Sequence, residues 1–356
     1  MIAIIGAGVS GLALAYQMSH YLPPDLGIDV FDKGRRVGGR ASTFQRDGMI
    51  ADFGASALKI SSALELEERW EIDLFDLYPT LSCGMTPLRP PLHPQSEEEW
   101  LQAQRRGELW IAQGGMVSLL ECLMRECSSI QIRLSHHVHA LVSKTTGWWL
   151  EGHIGGAEAP FSFGPYQWVI STAPPEQSAS LLKKHSDLLY DRLASVEENP
   201  KWSVVCEGYI PWLDGYSILE SPPVQLSPIL SRVSDEATRL TREVEIPERR
   251  TYVLQARAGW SQAHLDTPSE EIFLQLRQEI DELGMRFGSS QTASLEPIKI
   301  HRWRLAEPAK SLNLLSFIDE THLLAYSGDA LVEGTIQGAL FSAAQLAKQL
   351  RNKIVR

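Results

Sequence analysis

The first twelve residues constrain the chain most. Ile2-Ala3-Ile4-Ile5 runs into Gly6-Ala7-Gly8-Val9-Ser10-Gly11, and an Ala/Leu-rich stretch follows from Leu12 to His20. A buried strand, a Gly-x-Gly-x-x-Gly turn and a helix are the parts that seat a pyrophosphate on a helix N-terminus. Gly6 makes the tight turn, Gly8 lets the backbone approach the phosphates, and Gly11 lets the helix pack close to the strand. The helix start then offers unsatisfied N–H groups and a partial positive charge to an anion.

A lone glycine motif carries little information, but its second half is present. Ile28-Asp29-Val30-Phe31-Asp32 reads as a second strand ending in a carboxylate, and Asp32 follows Gly11 by 21 residues. The motif expects an acid roughly 20 residues on, to hold ribose hydroxyls. An acid there, rather than an arginine, favours FAD or NAD over NADP. After it comes Lys33-Gly34-Arg35-Arg36-Val37-Gly38-Gly39-Arg40, a second glycine pair closed by arginine. Gly38 and Gly39 permit close backbone approach, and Arg40 offers a rigid fork of donors suited to phosphate.

Length and charge bound what surrounds this unit. At 356 residues the chain has room for two domains, and its 44% hydrophobic and 22% charged composition suits a globular protein with a sizeable core. The formal net charge of −11 argues against nucleic acid or an anionic membrane as partner. The cysteines, Cys83, Cys122, Cys127 and Cys206, contain no Cys-x-x-Cys pair, so reduced thiols in a cytoplasmic protein are expected. The apolar start, with Ala13-Leu14-Ala15, resembles a signal-peptidase site, but it lacks a basic flank and its three glycines interrupt the run. No apolar stretch reaches the ~20 residues needed to span a bilayer.

Along the chain, Ala41 to Phe44 reads as a short strand and Ala51-Asp52-Phe53-Gly54-Ala55 as a small-residue turn. Ser62 to Asp76 has a helical pattern, and Pro87, Pro90, Pro91 and Pro94 mark an irregular connection. Gly114-Gly115-Met116 leads into a helix with Leu119, Leu120 and Leu123 on its apolar side. Residues 130 to 172 alternate as strands and end in the buried run Trp168-Val169-Ile170-Ser171. His137 and His139 share a strand face beside His136, but no further ligand stands at metal spacing, so no metal is expected.

Residues 175 to about 297 are more mixed and read as richer in long helices. Thr267-Pro268-Ser269-Glu270 reads as a capping box with proline at the first helical position, opening a helix striped by Ile272, Phe273, Leu276, Ile280 and Leu283. Gly284 and Gly288 are expected at its end. Trp202 to Tyr209 and Thr251 to Ala256 read as strands. His322 to Gly328-Asp329 repeats the strand–glycine–acid pattern, and Glu333 to Ala339 opens a last helix. The fold expected is α/β: a discontinuous Rossmann-type dinucleotide-binding domain (1–72, 112–175 and 298–356) with an inserted α+β second domain (73–111 and 176–297), which the family resemblance that follows implies to be an FAD-binding domain and a substrate domain.

Taken together, Gly6-Ala7-Gly8-Val9-Ser10-Gly11, Asp32, Gly38-Gly39-Arg40, Gly114-Gly115-Met116 and Gly328-Asp329 resemble the FAD-containing amine oxidase superfamily. Within it the chain is most similar to the renalases and their bacterial relatives, through Asp52-Phe53-Gly54-Ala55, Pro200-Lys201-Trp202, Gly259-Trp260-Ser261 and His301-Arg302-Trp303. The resemblance implies noncovalent FAD held by Gly6, Gly8, Val9, Ser10 and Gly11 at the pyrophosphate. It places Asp32 and Lys33 at the adenosine, Gly39 and Arg40 near the phosphates, and Gly54 and Ala55 in the cofactor-binding set. Val138 would meet the adenine, Gly328 and Asp329 the ribityl chain, and Ile336 and Gln337 the flavin pyrimidine.

It also implies an oxidase that takes a hydride from a dihydronicotinamide isomer and passes electrons to molecular oxygen. Ser56, Ala57, Glu307 and Gln337 depart from the family pattern, and no lysine stands in Trp202-Ser203-Val204-Val205-Cys206 of the kind amine oxidases hold near the flavin. Hydride transfer to flavin asks mainly for placement and fixed dipoles, so no catalytic residue beyond the flavin is required. Trp202, Trp260, His301 and Trp303 are candidates for a wall over a planar substrate, with Arg302 a candidate phosphate ligand. An amine oxidase or other flavin dehydrogenase, and a redox-responsive flavin-binding protein with little turnover, are the alternatives.

Overall fold

A computed structural model of the chain describes residues 1–23, 26–59, 66–69, 74–79, 85–88, 109–127, 129–156, 159–213, 218–220, 222, 224–237 and 250–354. The chain opens with β1 (Ile2–Ile5), α1 (Val9–Ser19) and β2 (Ile28–Phe31), then β3 (Thr43–Arg46), β4 (Met49–Asp52), β5 (Leu58–Lys59), α2 (Leu74–Leu77), β6 (Met85–Leu88) and β7 (Leu109–Ala112). Next come α3 (Met116–Arg125), β8 (Ile130–Arg133), β9 (His136–Lys144), β10 (Gly147–Ile154), β11 (Ala159–Tyr166), β12 (Trp168–Ser171), α4 (Pro175–Leu182) and α5 (Asp187–Ala194). The remainder is β13 (Glu198–Tyr209), β14 (Ile218–Glu220), β15 (Leu230–Asp235), β16 (Arg250–Ala256), α6 (Ala258–Ala263), α7 (Ser269–Arg286), β17 (Ser294–Pro308), β18 (Phe317–Asp319), β19 (Leu324–Tyr326), α8 (Asp329–Val332) and α9 (Ile336–Ile354).

Short runs of Ile, Val, Ala and Trp that are buried throughout form the central parallel strands, as expected of strands covered on both faces. Their order is β18-β19-β12-β1-β2-β8, parallel except for β18 at one edge. From β8 to β19 this is the doubly wound Rossmann arrangement, with its switch point between β1 and β12, beside the first glycine turn. Helices α1, α3 and α9 pack together beside this sheet. The antiparallel ladder β11-β10-β9 packs through Phe161, Phe163 and Tyr166 around Phe31.

The second sheet runs β14-β15-β16-β13-β17 and is antiparallel throughout. One face buries Trp202, Val204, Cys206, Tyr252 and Leu254 under the apolar stripe of α7. The other presents Arg232, Ser234, Gln255, Ser203, His301 and Trp303 toward the segment 51–56. Among the described residues, no helix is long and apolar enough to cross a membrane.

Several sequence expectations are corrected by packing. Residues 298–308, expected with the nucleotide-binding part, lie in β17 of the second sheet, paired with β13 along its length. Residues 176–194, expected with the substrate part, form α4 and α5, whose Ala179, Leu182, Leu189 and Leu193 join the core of the first sheet. Residues 195–297 are built on a sheet with α7 as their one long helix among the described residues, rather than being rich in long helices. Pro268 is the N-cap residue of α7, with extended backbone, and no side chain caps that end. Gly284 lies inside α7, because the Trp212 indole lies against it: an added Cβ would come 2.6 Å from Trp212 Cδ1. Gly288, at φ 80°, does stand just past the helix end. Pro87 pairs with Trp110 in a strand. Pro90, Pro91, Pro94, Cys83 and most of Ser62 to Asp76 lie outside the described residues.

Candidate functional site

The glycine turn has the geometry its spacing predicts. An added Cβ on Gly11 would collide with the Gly6 carbonyl, which is the close helix–strand contact of the motif. At Gly8 the nearest atoms to such a Cβ, Gly38 O and Gly39 Cα, are 3.8 Å away, leaving a shallow cradle over the start of α1. The second glycine pair closes against the first. Gly8 and Gly38 form a parallel bridge, and the Gly38 amide donates to Ala7 O at 2.9 Å. Positive φ at Gly38 (122°) and Gly39 (53°) makes that approach possible. The Asp32 carboxylate fastens the turn, accepting from Ala7 N and from Gly34 N, each at 2.6 Å. Val9 is the first residue of α1, and the exposed Lys33 reaches Gln177 on α4 at 3.1 Å.

The far end of the chain returns to this place. Ser10 Oγ bonds Ser327 Oγ at 2.8 Å, and Ser327 Oγ bonds Ser342 Oγ on α9 at 3.0 Å. Arg40 donates to Asp329, the first residue of α8, at 2.5 Å. Gly328 has no room for a side chain, since a Cβ would come 2.6 Å from Tyr326 Oη. Ile336 and Gln337 open α9, whose first N–H groups have no intrahelical acceptor. The Gln337 side chain is buried and turned away to Lys59 O at 2.7 Å. Val138 lies on β9, two residues past His136, whose amide donates to Asp32 O at 2.8 Å.

Residues 53–55 are held between these loops and the second sheet. Ala55 N donates to Arg40 O at 2.8 Å, and an added Cβ on Gly54 would collide with that same carbonyl. From the sheet, Gln255 donates to Gly54 O at 2.8 Å and Trp303 Nε1 to Phe53 O at 3.2 Å. Phe53 stacks on Trp303 with centroids 5.4 Å apart, His301 meets Trp303 edge-on at 4.2 Å, and Lys299 Nζ lies 3.7 Å from the centre of the Phe53 ring. Burial, with Lys299 beside it, pushes the His301 imidazole down to about 4, so it is neutral at pH 7. Burial and then Arg36 lower Lys299.

Two of the proposed wall residues are elsewhere. The Trp202 indole lies on the opposite face of β13, 3% exposed, donating to His264 O at 3.0 Å. Trp260 stacks on His264 with centroids 4.1 Å apart, on that same side. Strand alternation explains the error: Trp202 and Ser203 point to opposite faces, and the larger, more eye-catching side chain is the core one. Arg302 follows Trp202, donating to Leu265 O and pairing with Asp266 at 3.5 Å. Of the departing residues, Ser56 accepts from Arg232, Ala57 packs on Ile111 and Ile218, and Glu307 pairs with Lys201 at 2.8 Å.

A buried polar chain behind the site was missed. Asp52 Oδ1 accepts from Thr43 Oγ1 at 2.5 Å and from Met116 N at 2.9 Å, while Thr43 Oγ1 accepts from Val117 N. The pair therefore caps α3, a contact of about 1 kcal/mol. Gly115 is obligatory because any side chain would strike Thr43. The Asp52 amide donates to Glu236, which also accepts from Ser234 at 2.5 Å and lies 3.6 Å from Arg232. The Asp-x-Gly-Ala and Gly-Gly-Met motifs were visible in sequence, but nothing marked them as partners.

The donors and spaces suit an extended dinucleotide. Gly8 leaves a cradle at a helix N-terminus beside Gly38 and Gly39, the next residue Arg40 pairs with Asp329, and the Tyr326 hydroxyl is buried without a hydrogen-bond partner. Residues 4–70 match the family of NAD(P)-binding Rossmann-like domains. The whole chain superposes on cyclohexylamine oxidase from Brevibacterium oxydans IH-35A, covering 100% of this chain and 99% of that one, with TM-score 0.65 and 13% identity. Wild-type putrescine oxidase bound to putrescine gives TM-score 0.59 at 15% identity, with 100% and 99% covered.

The fold is that of the flavin amine oxidase-like proteins.

Sequence similarity to curated oxidases is local. The mitochondrial protoporphyrinogen oxidase of Nicotiana tabacum is 32% identical over 101 residues, 26% of this chain and 19% of that protein. Prenylcysteine oxidase 1 of Bos taurus is 42% identical over 57 residues, 16% of this chain and 11% of its own length. The chain thus spans a fifth or less of these curated relatives.

Proposed function

We propose that the protein is an FAD-dependent oxidoreductase of renalase type, which oxidises a dihydronicotinamide isomer and passes the electrons to oxygen. The observation that carries the substrate side is the half-buried wall of Trp303, neutral His301 and Lys299, backed by the buried Phe53 ring. It combines flat apolar surface with a cation, which suits a planar heteroaromatic ring carried on an anionic nucleotide. A protonated amine would be served better by a carboxylate, and the nearby Glu236 is already engaged by Ser234 and the Asp52 amide.

In this reading Gly8, Val9, Ser10 and Gly11 line the pyrophosphate with N–H groups, Gly6, whose own amide donates to Phe31 O at 2.7 Å, makes the turn beneath it, and Asp32 keeps lone pairs for the adenosine ribose. Bound FAD would supply a two-electron acceptor, held noncovalently, for the hydride that leaves the substrate as NAD(P)⁺ forms. Dioxygen would be the final acceptor, taking the electron pair and two protons to leave as hydrogen peroxide. The chain's own work is placement: Gln255 and Trp303 fix the Phe53–Gly54 backbone, and His301 adds bulk without charge. The protein would act on small molecules in the cytoplasm, with neither nucleic acid nor membrane as partner.

The neighbours named for cyclohexylamine and putrescine favour amine oxidation as the second reading. Anaerobic mixing of the FAD-loaded protein with dihydronicotinamide isomers and with amines separates the two. Bleaching of the visible flavin band by the isomers within seconds is the expected outcome, and bleaching by an amine alone overturns the proposal. Reduction by dithionite only would make it a flavin-binding protein with little turnover.

A further inference from the structure

One guanidinium serves two carboxylates at the seam between the glycine loops and the second sheet. Arg40 Nη2 is 2.5 Å from Asp329 Oδ1, and Nη1 is 3.4 Å from Ala306 O and 3.8 Å from Glu198 Oε1. Glu198 begins β13, and its side chain is 2% exposed. Its Oε2 accepts from the Glu176 amide at 3.3 Å, while Oε1 accepts no hydrogen bond. Tyr326 Oη is also buried and unpartnered, and the charges of Asp329, Arg40 and Glu198 all act on it. Two buried oxygens without partners beside a shared cation are costly to leave as they are, so the arrangement is built to receive something.

We propose that Glu198 is a positioning residue for the phosphate-bearing part of the cofactor: as a carboxylate it competes for Arg40, and as a neutral acid it releases Arg40 and donates a hydrogen bond. This rests on the reading that FAD binds here. The groups that act on Glu198 are Arg40, Asp329, Glu176 and the Tyr326 phenol. Neighbouring Glu307 is neutralised by Lys201. Burial raises Glu198 to about 7, with Asp329 and Glu176 adding to the rise and the Glu176 amide and Arg40 opposing it. Burial likewise keeps the Tyr326 phenol protonated and able to donate. A diphosphate entering beside Arg40 adds negative charge and favours the protonated acid further, so FAD binding takes up a proton when it begins with ionised Glu198.

The test is FAD binding by the apoprotein, followed through quenching of flavin fluorescence from pH 6 to 9. Wild-type affinity is expected to fall by up to about tenfold per pH unit above 7, the limit for one linked proton. Glu198→Gln is expected to bind with an affinity independent of pH over that range, and Tyr326→Phe to bind more weakly at every pH with the wild-type slope. Calorimetry of the wild type in two buffers of different ionisation heat should register proton uptake at pH 8, which keeps the test independent of any variant's folding. A flat wild-type profile without proton uptake, or an unchanged slope in Glu198→Gln, overturns the assignment while leaving FAD binding intact. Failure of the wild type to bind FAD at pH 6 overturns the cofactor reading itself.

Discussion

Arg40 and Asp329 are 289 positions apart in the chain and 2.5 Å apart in space. Their contact joins the second glycine pair to the last strand–glycine–acid unit, so two motifs far apart in sequence meet at one place. Removing the cation leaves Asp329 and Glu198 facing each other without compensation. Arg40→Ala is therefore expected to lower stability by about 1–3 kcal/mol and to weaken FAD binding together with it. Thermal melts with and without FAD check this; an unchanged melting point with unchanged FAD affinity would show the pair to be incidental.

The glycines of the first turn should separate experimentally. Gly11→Ala forces a Cβ into the Gly6 carbonyl and is expected to cost about 1–3 kcal/mol in the apoprotein, as overpacking does. Gly8 has negative φ and 3.8 Å of clearance, so Gly8→Ala should leave the apoprotein melting point nearly unchanged while filling the phosphate cradle. Denaturant melts and fluorescence titrations on both variants decide it. Equal loss of apoprotein stability in the two would contradict the assignment.

The pH dependence of stability has an acid limb from His301. Its imidazole is held to about 4 in the fold against an ordinary value near 6.5. As pH falls from 6.5 toward 4 the unfolded chain takes up a proton that the folded chain refuses, so stability is lost over that window. His301→Gln should flatten this part of the profile, read as melting temperature between pH 7 and 4. An identical slope in both proteins would mean that the imidazole is not shielded.

Trp202 and Trp303 are one residue apart in alternation and opposite in role. Trp202→Ala is expected to cost about 3–5 kcal/mol through a cavity under α7. At temperatures where it stays folded, it should leave the rate of flavin reduction unchanged. Trp303→Leu removes the donor to Phe53 O and a ring of the proposed wall, so it should slow reduction by dihydronicotinamides with a smaller loss of stability. Stopped-flow reduction of the two variants, set beside their melts, distinguishes wall from core.

What could be read in advance followed from local rules. Gly6, Gly8, Gly11 and Asp32 are spaced by the geometry of one strand–turn–helix–strand unit, and that geometry is the one observed. Gly328-Asp329 was readable for the same reason. Glu198, Tyr326, Gln255 and Lys299 were not, because each acts through a partner far along the chain. Trp202 misled because strand period tells which residues share a face but not which face meets the other layer; that is decided by α7. Gly114-Gly115-Met116 was noticed, but its reason, the Asp52–Thr43 cap, is a tertiary contact.

The serine relay of Ser10, Ser327 and Ser342 has a consequence for synthesis. A ribosome releases β1 and its glycine turn long before residues 168–171, the strand that flanks β1 on its other side, and the hydroxyls that lock the turn arrive only with residues 327 and 342. Ser10 of the glycine turn is thus made 317 residues before Ser327, the first of the contacts that finish it. Nascent chains that stall before residue 327 should display an open, apolar sheet edge to chaperones and be unable to retain FAD.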